Sequence, residues 1–176
     1  MGTINIVLYE PEIPQNTGNI MRTCVATNTI LHLIEPLGFS LDSSKVKRSG
    51  VNYHVNNDLK YFVYKNIDEF FAKNQKGKFY FLTRYAHKSL LDMDTKDSNE
   101  DYYFILGKES TGIPYDILKA NLDKCIRIPM TDKVRSLNLS NCAAIIIYEA
   151  LRQQGFPGLE FEEPENFKGK NFLDNL

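Results

Sequence analysis

Four stretches of the chain carry side chains whose types and spacing could do chemistry. In PEIPQNTGNIMR (residues 11–22) two prolines precede Asn-Thr-Gly-Asn, a tight polar turn where an apolar run ends and a helical pattern begins. Backbone N–H groups and the positive end of a helix dipole suit an anion at such a turn. Arg22 lies four residues after Gly18 and four before Ala26, on a face with small neighbours. Its guanidinium suits a phosphate or a developing oxyanion, although a solvated arginine on an amphipathic helix fits the same residue. In FILGKESTGIP (104–114) an apolar run enters a loop bounded by Gly107 and Gly112. The spacing imitates a phosphate-binding loop, but Ile113 and Pro114 stand where that motif needs Lys and Ser or Thr, which argues against ATP hydrolysis. No GxGxxG follows any apolar run, so the dinucleotide-binding reading fails too. What stays is a loop whose backbone a ligand can approach closely, with Glu109 in its middle as a partner for a cationic ligand.

The third stretch, IRIPMTDKVRSLNLSNCAAIIIYEALRQQG (126–155), leaves an apolar run at Pro129 and carries Lys133, Arg135, Ser136 and Asn138 in a polar loop. The helix that follows is apolar almost all round until Glu149 and requires cover on nearly every side. Asn141, Ala144, Tyr148 and Arg152 share one of its faces, and Tyr148 sets a phenol in its apolar middle, where a hydrogen-bonded structural role and a chemical one are both open. The fourth stretch holds Lys45, Lys47 and Arg48, then Tyr53, His54, Tyr61 and Tyr64. Positive charge holds phosphates while rings stack on unpaired bases, a division of labour found in RNA recognition; a plain surface loop with a strand behind it fits equally.

Elements of fixed direction must hold these stretches. INIVLYE (4–10), ILHLIEP (30–36), KFYFLTR (78–84), YYFILGKE (102–109) and KCIRIPM (124–130) are nearly continuous in apolar character, as strands covered on both faces are. Helices are expected after Pro14 with Asn16 or Thr17 as cap, over 67–74, over 114–122 with Pro114 in the first turn, and over 137–155. The alternation gives an α/β fold with a parallel sheet.

The 176 residues, 43% of them hydrophobic, fit one domain with a sizeable core. With 21 Lys and Arg against 22 Asp and Glu, the net charge of -1 confines any nucleic-acid site to a local patch. The longest apolar run, CAAIII (142–147), is far below the roughly 20 residues of a membrane span, and no leader pattern opens the chain. A soluble cytoplasmic protein without membrane contact is expected. Cys24, Cys125 and Cys142 are odd in number and spaced for neither a disulfide framework nor a zinc pair, and His32, His54 and His87 are scattered, so no metal is assigned. Acidic residues gather at 92–101, read as a surface connection, and at 161–176, read as a weakly packed tail.

Taken together, PEIPQNTGNIMR, ILGKESTGIP and IRIPM…SLNLSNCAAIIIYEA, in that order, resemble the three motifs of the SPOUT class of RNA methyltransferases. The likeness is closest to its small members that 2′-O-methylate the wobble nucleotide of tRNA. It extends over residues 3–158, including NIVLYEPEIP and IEPLGF, and divides the chain into a methyltransferase domain (1–158) and an acidic C-terminal tail (159–176). The resemblance implies a SPOUT-type α/β fold, a mostly parallel sheet flanked by helices with a C-terminal deep trefoil knot. It implies a homodimer that binds S-adenosyl-L-methionine in the knot and releases S-adenosyl-L-homocysteine. By position, Leu82, Gly107, Ile128 and Ser136 match the family's cofactor contacts, and Arg22, Glu109, Asn138 and Tyr148 its catalytic set. Lys47, Arg48, His54 and Arg135 are the expected RNA contacts. The implied substrate is the tRNA anticodon stem-loop, with methylation of cytidine or modified uridine at position 34 of leucine tRNAs. The same fold acting on another tRNA or rRNA site, and a non-catalytic RNA-binding dimer, are the alternatives. A guanidinium does not give up its proton at neutral pH, so Arg22 is expected to orient the nucleotide and stabilise negative charge, with Tyr148 or a water accepting the proton.

Overall fold

The structure, a computed structural model, describes residues 1–41 and 58–176. Strand β1 (Ile4–Tyr9) is apolar on both sides because both sides are covered: Ile4, Ile6 and Leu8 enter one core cluster and Val7 the other. The strand is followed by α1 (Pro14–Ala26), β2 (Ile30–Ile34), β3 (Tyr61–Tyr64) and α2 (Ile67–Lys73). Then come β4 (Lys78–Leu82), β5 (Lys88–Ser89), β6 (Tyr102–Leu106), α3 (Tyr115–Ala120), β7 (Cys125–Arg127) and α4 (Leu139–Gln154). The strands form one sheet in the order β3-β2-β1-β6-β4-β7-β5, and every pairing is parallel. Helices α1 and α4 cover one face through Ile20, Cys24, Ala143, Ile146 and Ile147, and α2 and α3 cover the other through Phe70 and Leu118.

The expected α/β class with a parallel sheet is what forms. Each of the five expected strands is shorter than its apolar run, and the residues left over at its C-terminal end become loop. The four-residue edge strand β3 and the two-residue β5 are additions to the five expected strands; Tyr61, Phe62 and Val63 of β3 are exposed, so it lacks the two-sided cover on which the expected strands were read. Neither Asn16 nor Thr17 caps α1: Ile13 occupies the N-cap without a side-chain bond and Pro14 is the first helical residue. Pro114 likewise precedes α3 instead of lying in its first turn. At α4, Asn138 accepts from the Ser140 N–H at 2.9 Å, and Gly155 ends the helix at φ 75, in the left-handed region. The helix is less covered than its composition suggests, because Asn141, Ile145, Tyr148 and Arg152 form an exposed stripe.

The acidic connection 92–101 is fastened to α4. Thr95 donates through N and Oγ1 to Gln153 Oε1 at 2.9 and 3.0 Å, and Gln154 donates to the Thr95 carbonyl at 2.9 Å. Beyond Gly158 the chain forms neither helix nor strand, and Phe161, Phe167, Leu173 and Leu176 are exposed. All three cysteines are free, and burial raises each thiol, Cys24 to about 12, which disfavours the nucleophilic thiolate form. His32 lies buried between β1 and β3. The Asn5 amide donates to Thr3 and to the Tyr102 carbonyl, which turns its oxygen to His32 Nε2 at 3.0 Å; Nδ1 therefore accepts from the Tyr64 hydroxyl at 2.9 Å. Burial lowers this imidazole to about 4.

Candidate active site

In a parallel sheet, ligands sit beyond the carboxyl ends of the strands where the strand order reverses. Here the chain proceeds from β1 to β2 on one side and later returns to β6 on the other. At that end a cleft of about 720 Å³ opens between four loops: the start of α1, the turn after β4, the loop after β6, and the segment from β7 into α4. That volume is typical of a small-molecule site. Leu82, Gly107, Ile128 and Ser136 all line it, and so do Glu109, Arg135 and Asn138. Apolar cover comes from Leu106, Met130 and Leu137.

Gly107 is needed for a reason other than room for a ligand. A Cβ there would stand 2.1 Å from the Gly112 carbonyl carbon and 2.2 Å from the Ile113 nitrogen, so it would strike the loop's own backbone. The loop closes on itself through Gly112 N–H to Lys108 carbonyl at 2.8 Å, with Gly112 at φ 76.

The Glu109 carboxylate, expected as a partner for a cationic ligand, is engaged by groups of the chain itself. It accepts from the backbone N–H groups of Glu12 and Ile13 at 2.8 and 3.3 Å and from Asn16 Nδ2 at 2.9 Å, thereby setting a negative charge at the start of α1, whose own first turn has no acidic residue. Asn16, 5% exposed, in turn accepts from Asn138 Nδ2 at 2.9 Å. The line Glu109–Asn16–Asn138 joins the three motif loops across 122 residues of sequence. A second clasp runs beside it. Glu12 accepts from Ser110 N and Oγ, both at 2.9 Å, which holds its carboxyl below the ordinary range. Lys108 pairs with Glu10 at 2.6 Å, and that contact raises the lysine. Glu10 adopts φ 46, a left-handed conformation uncommon for a residue with a side chain, at the very turn the clasp holds. Glu10, Glu12, Lys108 and Ser110 were not singled out by the sequence, and Asn16 was marked only as a candidate helix cap. The one available signal was opposite charge in two distant motifs, and it acquires meaning only when β1 pairs with β6.

Arg22 and Tyr148 lie elsewhere. Neither lines the cleft; Arg22 is exposed on the outer face of α1, without an ion pair or hydrogen bond among the described residues. Tyr148, 48% exposed, borders a second, shallower concavity with Ala26, Asn28 and Phe156. Lys47, Arg48 and His54 fall outside the described residues. Among the described residues no group of His, Cys, Asp and Glu could hold a metal ion, and no helix is long and apolar enough to cross a membrane.

A cleft built by three tied loops beyond a parallel sheet agrees with the chain's relatives: the protein belongs to the SpoU rRNA methylase family, whose pattern matches residues 3–148. More particularly, it is similar to a candidate tRNA (cytidine(34)-2′-O)-methyltransferase of Listeria innocua, 54% identical over 170 residues that cover 97% of this chain and 98% of the relative. Among solved structures, a candidate RNA methyltransferase of Bacillus anthracis superposes with a TM-score of 0.85 at 53% identity, covering 91% of this chain and 99% of that one. A structure concerned with the 2-OH methylation of C/U34 on tRNA superposes at 0.79 with 35% identity, covering 88% and 97%.

Proposed function

We propose that this protein transfers the methyl group of S-adenosyl-L-methionine to the ribose 2′-oxygen of the wobble nucleotide, cytidine or modified uridine at position 34, in leucine tRNAs, and that it works as a cytoplasmic homodimer. The observation that carries the reading is the Glu109–Asn16–Asn138 line, which gathers three distant motif loops around one cleft of cofactor size. The relatives' activity supports the choice of substrate. Residues 1–158 are the catalytic domain, with its C-terminal knot, and 159–176 the appended tail.

The cleft fits the methyl donor: Leu82, Ile128, Met130 and Leu137 give an apolar lining, while Gly107 and Ser136 present backbone and a hydroxyl. When bound, S-adenosyl-L-methionine supplies an activated methyl on a positively charged sulfur. The chain's own work is then to align the ribose hydroxyl and manage its proton. Arg22 orients the nucleotide and stabilises negative charge building on the 2′-oxygen. Asn138 holds the last loop in place through Asn16 and Ser140. Arg135, exposed at the cleft's edge, holds a phosphate of the anticodon stem-loop. Because Arg22 and Tyr148 stand outside the cleft of their own chain, a second copy packed on the exposed α1–α4 face brings them to it.

Subunit mixing tests this arrangement. Arg22→Ala and Asn138→Ala are each expected to lose methyl transfer to tRNA by about 100-fold or more. Mixed dimers should regain activity, since one of their two sites combines an intact cleft with an intact arginine from the other subunit. Absence of rescue in verified mixed dimers would place Arg22 and the cleft in the same chain and refute the shared site.

A further inference from the structure

The turn after β4 brings Arg84 and Tyr85 to the lining of the cleft, and the start of α3 adds Tyr115. Thr83 anchors the turn by donating its N–H to the Ile126 carbonyl at 3.0 Å and accepting at its own carbonyl from Ala86 N–H at 3.4 Å; Ala86 is buried. Between these anchors Arg84 and Tyr85 are pushed outward at the mouth of the cleft. The Arg84 guanidinium sits 4.7 Å from the Tyr85 ring centroid and donates through Nη2 to the Tyr85 hydroxyl at 2.7 Å. Tyr115, from the start of α3, meets Tyr85 edge to face with centroids 5.8 Å apart and their hydroxyls at 3.4 Å.

This cluster is poorly explained as packing. Tyr85 is 51% and Tyr115 65% exposed, so two large rings forgo most of the burial that usually justifies an aromatic residue. Arg84 has no carboxylate partner among the described residues, and its charge remains available at a site bordered by Gly107 and the last loop. Exposed rings with an unpaired arginine suit an unpaired nucleobase: any base offers a π-face to a tyrosine, and a guanidinium stacks in the same way. Tyr85 sits on a turn tied at Thr83 and Ala86 and Tyr115 on a helix start, so the two rings approach each other from a fixed backbone, which lowers the entropic cost of stacking.

We propose that Arg84, Tyr85 and Tyr115 form a stacking platform for an unpaired base of the substrate RNA, flanking the nucleotide whose ribose is modified. The proposal rests on the reading of this cleft as an RNA methyltransferase site. It assigns to the described part of the chain an RNA contact that does not depend on the basic stretch at Lys45–Arg48.

The test compares full-length wild type with Tyr85→Ala, Tyr115→Ala and Tyr85→Phe. Binding to an anticodon stem-loop RNA is measured across a salt series, and S-adenosyl-L-homocysteine binding by calorimetry. Each alanine variant is expected to weaken RNA binding about 5- to 100-fold. The slope of affinity against salt should stay unchanged, since no phosphate contact is removed. Cofactor affinity should stay at the wild-type value, and Tyr85→Phe, which keeps the ring, should remain within about twofold of wild-type RNA affinity. Unchanged RNA affinity in both alanine variants overturns the platform. So does a loss confined to cofactor affinity, which would give the rings to the methyl donor, or a Tyr85→Phe variant as weak as Tyr85→Ala, which would make the hydroxyl the contact. Failure of the underlying functional reading is seen separately, in a wild-type protein that binds no such RNA.

Discussion

Replacing Asn16 by Asp changes one NH2 group into oxygen and almost nothing in shape, and it strikes the line that ties the three loops. In the wild type Nδ2 lies 2.9 Å from Glu109 Oε1. In Asn16→Asp two carboxylate oxygens face each other at that distance, a repulsion of about 6 kcal/mol at an effective dielectric constant of about 20. Protonating one of the pair relieves it, at about 1.4 kcal/mol for each pH unit above an ordinary carboxylate pKa near 4. The cheaper route sets the ceiling: about 5 kcal/mol at pH 8 and about 1 kcal/mol at pH 5. The sign follows from proton counting. The folded pair holds its proton to higher pH than the unfolded chain, so the variant loses stability as pH rises between 5 and 8. Asn16→Ala removes both hydrogen bonds without adding charge and should cost about 2 kcal/mol at either pH. Denaturant unfolding of the three proteins at pH 5, 6.5 and 8 reads these differences. A deficit in Asn16→Asp that is the same at pH 5 and pH 8, or below about 1 kcal/mol throughout, would refute the claim that this amide bridges Glu109 and Asn138.

Two further expectations follow from the fold and the cleft. His32 is held neutral by burial at about 4, below its unfolded value near 6.5, so its contribution to stability is intact above pH 6.5 and erodes as pH falls toward 4. Relative to His32→Gln, wild type should lose about 2 kcal/mol between pH 7 and pH 5, and parallel pH profiles of the two proteins would contradict this. Gly107→Ala places a Cβ 2.1 Å from backbone, which should cost about 1–3 kcal/mol of stability. It should also weaken S-adenosyl-L-homocysteine binding by about tenfold or more, roughly 1.4 kcal/mol; calorimetry with near-normal affinity would mean the loop need not close as described.

The parallel sheet was legible because strands covered on both faces leave long apolar runs, as β1, β2, β4, β6 and β7 do. Their C-terminal limits were not: after β7 the apolar Ile128 and Met130 continue past the strand and cover the cleft instead of pairing, while after β6 the loop Gly107–Glu109 lines it. Resemblance in three motifs marked Gly107, Glu109, Ser136 and Asn138, which the structure gathers at one cleft. The way Glu109 is used escaped the reading, because a side-chain bond made to a residue 93 positions away has no local sequence signature. Asn16 looked like an N-cap for the same reason it makes a bridge: a short amide beside a helix start can bond backbone or partner, and only the approach of β6 to β1 decides which. Tyr85 and Tyr115 are 30 residues apart, and nothing in their spacing reveals that a turn and a helix start bring the rings together. Exposure, too, was invisible: the stripe through Ile145 and Tyr148 reads as core from composition alone.

The most direct examination of the account is to locate the modified nucleotide. Purified protein is incubated with S-adenosyl-L-methionine and tRNA isolated from cells lacking it, and ribose methylation is mapped by nuclease digestion and mass spectrometry. A new 2′-O-methyl group is expected on the wobble nucleotide of leucine tRNAs and should disappear in Arg22→Ala. Methylation at a base, or at a ribose outside the anticodon loop, would contradict it.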